Sequence, residues 1–190
     1  KPRFSRVYVR GASHWVFRGL VVSAEARTDD RGQPLVHLDS HGWHGPVHDI
    51  VVEDCTLLSA EDSSRWSAED WNRRARDGIL SNGARITIRR NYLKNVNFGI
   101  SMSGPHALVE RNTVENFSGD GLRGLGDYGV FQYNVVKNCY DVNDNHDDGF
   151  QSWSVGPGGV GTGEVKGMVL RGNIIINYED PNQPHRGPLQ

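Results

Sequence analysis

Residues 86–138 read ITIRRNYLKNVNFGISMSGPHALVERNTVENFSGDGLRGLGDYGVFQYNVVKN, and one phrase passes through them three times. Two apolar residues stand five and three places before an Asn, a third stands two places after it, and a second Asn follows. Ile86, Ile88, Asn91, Leu93 and Asn95 recur as Ala107, Val109, Asn112, Val114 and Asn116. They recur again as Gly129, Phe131, Asn134, Val136 and Asn138. Apolar residues two apart argue for strands with one buried face. A period just above 20 residues, built from such runs and from turn residues, predicts stacked coils rather than a closed globule.

The phrase extends in both directions. Met168, Leu170, Asn173, Ile175 and Asn177 continue it, Ile50, Val52, Cys55 and Leu57 precede it, and Trp15, Phe17, Leu20 and Val22 open it. A further strand precedes each Asn, marked by Gly78-Ile79, Gly99-Ile100, Gly121-Leu122 and Gly149-Phe150, with Val7 and Val36 holding that place in the first two coils. Six coils align over one domain spanning 1–190, with inserts at 24–34, 40–48, 59–76, 140–147 and 154–167. Ser67-Ala68-Glu69-Asp70 predicts a short helix over 66–76, and the Gly-rich segment 154–167 reads as a loop. The Asn columns have a structural explanation: Asn tolerates left-handed backbone, and stacked amides hydrogen-bond along a ladder.

Composition narrows the classes. Only 36% of the chain is hydrophobic and Gly reaches 23 residues, which suits a turn-rich all-β protein with a narrow core. A net charge of −2 with no dominant basic patch argues against nucleic acid as a partner. No apolar run is long enough for membrane insertion by a helix. Cys55 and Cys139 fall in different columns and read as two free, buried thiols.

With Asp-Gly-apolar, strand, Arg-Asn-x-apolar-x-Asn in place over residues 3–178, the chain resembles the right-handed parallel β-helix repeat of the pectate-lyase-like superfamily. The resemblance implies an all-β solenoid. It also implies one of several functions: polysaccharide lyase, glycoside hydrolase, uronan epimerase, or a non-catalytic glycan-binding tailspike or adhesin, the last with homo-oligomer-forming faces. An extracellular, periplasmic or virion-associated setting goes with it. The loop from Pro181 to Pro188 shows no closing helix, so the chain reads as a fragment of a longer β-helix.

Strand alternation gives the outward row as Tyr8, His37, Leu80, Ser101, Arg123 and Gln151, followed by Arg10, Asp39, Asn82, Ser103, Leu125 and Trp153. Planar donors beside aromatic rings suit an acidic polysaccharide, so Tyr8, His37, Asp147, Gln151 and Trp153 are candidate substrate-binding residues. Asp120 and Asp148 share a column on neighbouring coils. A carboxylate pair at that separation can serve glycoside hydrolysis. A lyase instead needs a base and a positive group for the developing enolate, and His146 and Arg123 stand near the pair. Asp120, Arg123, His146 and Asp148 are therefore the candidate catalytic residues, with a lyase, a hydrolase and an epimerase all open. Asp141, Asn143, Asp144 and Asp147 offer oxygen ligands at a density that can hold Ca²⁺, although neither Gly nor Glu stands where an EF-hand needs it. Three His in 40–48 are broken by Gly and Pro and read as a groove wall rather than a zinc site.

Overall fold

The computed structural model describes residues 2–25 and 32–189, so most of the insert 24–34 lies outside the described residues. The rest is all-β, with three parallel sheets to which each coil contributes in turn. The first sheet stacks Val7–Arg10, Val36–Asp39, Ile79–Ser81, Ile100–Met102, Leu122–Gly124 and Phe150–Gln151. The second stacks Val16–Arg18, Val51–Glu53, Thr87–Arg89, Leu108–Glu110, Val130–Gln132 and Val169–Arg171. The third runs from Arg3–Phe4 through Val21–Ser23, Thr56–Leu58, Tyr92–Val96, Thr113–Phe117 and Val135–Cys139 to Ile174–Ile176. This arrangement is compatible with a parallel β-helix.

The register is the one the repeat predicts. Ile88 pairs with Val109 and Val109 with Phe131 in the second sheet, while Leu93, Val114, Val136 and Ile175 align in the third. Ile86, Ile88, Leu93, Val109, Val114, Phe131 and Val136 lose all contact with solvent and form the interior column. Leu170 and Ile175 hold the same inward positions yet stay about half exposed, because among the described residues no strand lies beyond theirs. Trp15 is exposed for the same reason at the other end of the second sheet.

The two Asn columns do different work. In the first, each amide spans two coils. Asn112 Nδ2 donates to Asn134 Oδ1 (3.0 Å) and to the carbonyl of Ile88 (2.9 Å), and its Oδ1 accepts from Asn91 N and Nδ2 (both 3.0 Å). In the second, Asn95, Asn116 and Asn138 adopt left-handed backbone, with φ between 55° and 64°. That conformation suits Asn better than most residues with a Cβ.

Two inserts gain structure of their own. Ser67 caps the helix Ala68–Arg74, accepting from Asp70 N while Asp70 reaches back to Ser67 N. Trp66 and Trp71 are buried against Tyr140 in a small second core. Trp43 remains 90% exposed. The loop 154–167 contains a short antiparallel hairpin, Val155–Gly156 with Gly159–Val160, which its Gly content concealed. Both cysteines are buried, and no disulfide joins them. No helix among the described residues is long and apolar enough to cross a membrane.

Candidate functional site

The first sheet places residues 120–123 directly beside 148–151. Leu122 pairs with Phe150 and Arg123 with Gln151, and Gly121 N donates to Asp148 O at 2.8 Å. Both Asp residues sit in the turn before their strand, so their side chains do not follow strand alternation. Asp120 turns toward the next coil and is fully buried. It accepts from Asp148 N at 3.1 Å and forms an ion pair with Arg123 Nε. Burial pushes its carboxyl up, with the Arg123 charge pulling against that rise. Arg123 thus binds Asp120, not Asp148. Its guanidinium carbon lies 3.5 Å from the centre of the Phe98 ring and 5.2 Å from that of Trp153.

Asp148 does different work. Its Oδ2 accepts from Gln151 Nε2 at 2.7 Å and lies 2.9 Å from His146 Nδ1. With the proton on Nδ1, that bond leaves Nε2 of His146 as a basic lone pair. The imidazole is more than half exposed. His146, Asp148, Gln151, Arg123 and Trp153 therefore meet at one rung boundary, with Asp120 beneath them.

Asp147 leaves this group. Its Oδ2 lies 3.6 Å from Cys139 Sγ and its Oδ1 accepts from Asn145 Nδ2 at 3.2 Å, in a buried position. It is thus removed from the surface where the sequence reading placed it as a substrate-binding residue. Burial first, and then Asp141 and Asp120, push its carboxyl up to about 6. Because this folded value exceeds the unfolded one, the protonated form favours the native state. The penalty is absent below about pH 4 and complete above about pH 6, so this group makes stability fall as pH rises between them. Asp147→Asn keeps an acceptor for Asn145 Nδ2 and turns an amide N–H toward the Cys139 sulfur, without the charge. It is expected to raise the free energy of unfolding by roughly 2 kcal/mol at pH 7.5 and to change it little at pH 4, read from urea unfolding at both values.

The four proposed calcium ligands are not gathered. Asn143 donates to Asn72 Oδ1 at 2.8 Å and accepts from Asn145 N, Asp141 and Asp144 are exposed, and Asp147 faces Cys139. Among the described residues, the set of three His, Cys, Asp or Glu ligand atoms within 4.8 Å of one another is His14, His48 and Asp49.

Tyr8 and His37 stack at 5.0 Å with an interplanar angle of 7°. Tyr8 Oη donates to Asp39 at 2.9 Å, and the Arg6 and Arg10 guanidinium carbons lie 4.5 and 4.8 Å from its ring centre. They share the sheet face with Arg123, but Leu80 and Ser101 stand between. Three steps from His37 to Arg123 put them roughly 14 Å apart, so they form a separate patch.

Sequence reasoning missed the floor of the site. Phe98 stands in the column occupied by Asp120 and Asp148 on later coils, and that break was the available signal. It joins Asn72, Asn97, Asn143 and Asn145 around a depression of about 380 Å³. Asn72 comes from the helical insert and Asn143 from a loop 71 residues later. Comparison of the chain with protein-family models finds no matching family, and comparison with curated proteins finds no matching relative.

Proposed function

We propose that the chain is a right-handed parallel β-helix of the pectate-lyase-like kind, and that the rung carrying His146, Asp148 and Arg123 acts on an acidic polysaccharide by removing the proton alpha to a uronate carboxyl. The observation that carries this reading is the hydrogen bond between the buried Asp148 carboxylate and the exposed His146 imidazole, on the rung that also carries an arginine. The carboxylate orients the imidazole and fixes its tautomer, and His146 Nε2 takes the proton. Arg123, held by Asp120 and lying on Phe98, supplies positive charge where the enolate develops. Trp153 offers a ring face to the sugar. The carbanion pair forms the double bond as the glycosidic oxygen beta to it leaves with its electron pair and takes up the proton held by His146, which completes an elimination; return of a proton from water on the opposite face gives epimerisation. Complete burial of Asp120 argues against a hydrolytic carboxylate pair, because neither substrate nor water reaches it. Asp120 becomes a positioning residue for Arg123.

The test is a panel of uronate polymers followed by the absorbance of unsaturated uronate and by exchange of solvent deuterium into the sugar. His146→Ala and Asp148→Asn are each expected to lower turnover by about 100-fold or more while binding persists. Full activity in both variants removes the assignment. Binding of a polymer by the intact protein with neither elimination nor exchange on any member of the panel supports the glycan-recognition reading instead.

A further inference from the structure

A second constellation lies at another corner, on the turns that lead into the second sheet from the first two coils. His14, Asp49 and Arg85 occupy one column there, all in left-handed conformation with φ of 61°, 53° and 52°. Parallel bridges link Ser13 with His48 and His48 with Ala84, while His14 N donates to His48 O and Asp49 N to Ala84 O. Positive φ aims the column's side chains away from the ordinary strand rows. His14 consequently meets His48 and Asp49, the two turn residues of the next coil. The imidazoles stand edge to face, with ring centres 5.4 Å apart and planes at 88°. Asp49 Oδ2 lies 2.6 Å from His48 Nδ1.

We propose that His14, His48 and Asp49 form a binding site for a borderline divalent transition metal ion of the Zn²⁺ class. Their potential ligand atoms all lie within 4.8 Å of one another, the crowding such a set needs before a cation draws it together. Two imidazole nitrogens and one carboxylate suit Zn²⁺ over Ca²⁺ or Mg²⁺, which prefer all-oxygen shells. Three protein ligands leave a position for water. Arg85 Nε and Nη2 hold the two Asp49 oxygens at 2.8 and 2.7 Å. Asp49 Oδ2 is shared by Arg85 and His48 Nδ1, while Oδ1 keeps a further acceptor direction for an ion, so the guanidinium can remain as the outer partner that fixes the carboxylate. Its positive charge opposes the ion, which places the expected affinity in the micromolar rather than the nanomolar range. The site is independent of the proposed polysaccharide chemistry, which lies several coils away on a different sheet.

Calorimetric titration of the metal-free protein with Zn²⁺, and with Ca²⁺ for comparison, tests this. One Zn²⁺ per chain is expected at micromolar concentrations, with no uptake of Ca²⁺ at this site. His14→Asn tolerates the left-handed backbone, and His48→Gln keeps a polar group at its bridge. Each should weaken Zn²⁺ binding by about tenfold or more while the β-sheet circular dichroism is unchanged. His41→Ala with His44→Ala, in the neighbouring loop, should leave binding unaltered. Failure to take up Zn²⁺, or uptake that survives both His14→Asn and His48→Gln, overturns the proposal. So does uptake abolished by the loop pair.

Discussion

Asn112→Ala is expected to lower the free energy of unfolding by about 4 kcal/mol or more. Asn112 is buried at the centre of the amide ladder. Its Oδ1 serves both Asn91 N and Asn91 Nδ2, and its Nδ2 serves Asn134 and the Ile88 carbonyl. Truncation leaves the Asn91 backbone N–H, one Asn91 amide proton and the Ile88 oxygen without those partners. Each buried orphan costs about 1–3 kcal/mol, and the methyl group that remains returns none of it. Asn112→Asp should be nearly as damaging, since a carboxylate has no proton for Ile88 or Asn134. Asn173→Ala offers the comparison, because Asn173 is only half-buried and water can replace part of what it loses. Urea unfolding of the three variants checks the order. A loss below about 1 kcal/mol in Asn112→Ala would mean that water enters the ladder and that the amide stack does not hold the coils together.

Much of the stacking was legible because it depends on positions that repeat. Asn91, Asn112 and Asn134 declare their neighbours by spacing, and Ile88, Val109 and Phe131 declare which way they point by strand parity. The outward row from Tyr8 to Gln151 followed from the same rule and pairs as expected. Parity stops at the strand ends, and there the reading of the site failed. Asp147 and Asp148 are adjacent in a turn, where nothing periodic decides that one faces Cys139 and the other His146. Arg123 points outward as parity requires, but its choice of Asp120 over Asp148 depends on how the turn folds back. Contacts between inserts were beyond reach altogether. Asn72 meets Asn143 because loops of different coils lie over the same corner, and no spacing within either loop encodes the meeting. Gly83, Gly104 and Gly126 form a second glycine column at the end of the first sheet, hidden because only the Gly-apolar pairs at the strand starts carried an obvious signature.

That second column supports the other large expectation: Gly104→Ala should abolish the native stack or cost at least about 4 kcal/mol, well beyond ordinary overpacking. The reason is proximity of backbone to backbone rather than backbone conformation, since Gly104 does not adopt positive φ. A Cβ on Gly104 would overlap the carbonyl of Gly83 on the preceding coil and lie 2.7 Å from Asn82 O. A flexible side chain can swing aside from such a clash, whereas a carbonyl oxygen in a stacked coil moves only with its coil. Separating the coils lengthens nearby bonds such as Ser103 N to Ser81 O, now 2.8 Å, and Arg85 N to Pro105 O, now 2.9 Å. Gly42→Ala is the control, because its Cβ meets nothing within 4 Å and its φ is unremarkable, so its effect should stay within about 0.5 kcal/mol. Gly126 presses on the Gly104 carbonyl in the same manner, one coil further on. Gly104→Ala opens the gap between the coils of Gly83 and Gly104 and Gly126→Ala opens the next one, so if the damage comes from forcing coils apart, the two combined should cost about the sum of the two, because the bonds across the two gaps are different. Thermal unfolding followed by circular dichroism measures all four proteins. A Gly104→Ala protein that melts with the wild type would show that adjacent coils have slack at this corner, and the close approach of glycine to carbonyl would then lose its claim to set the spacing between coils.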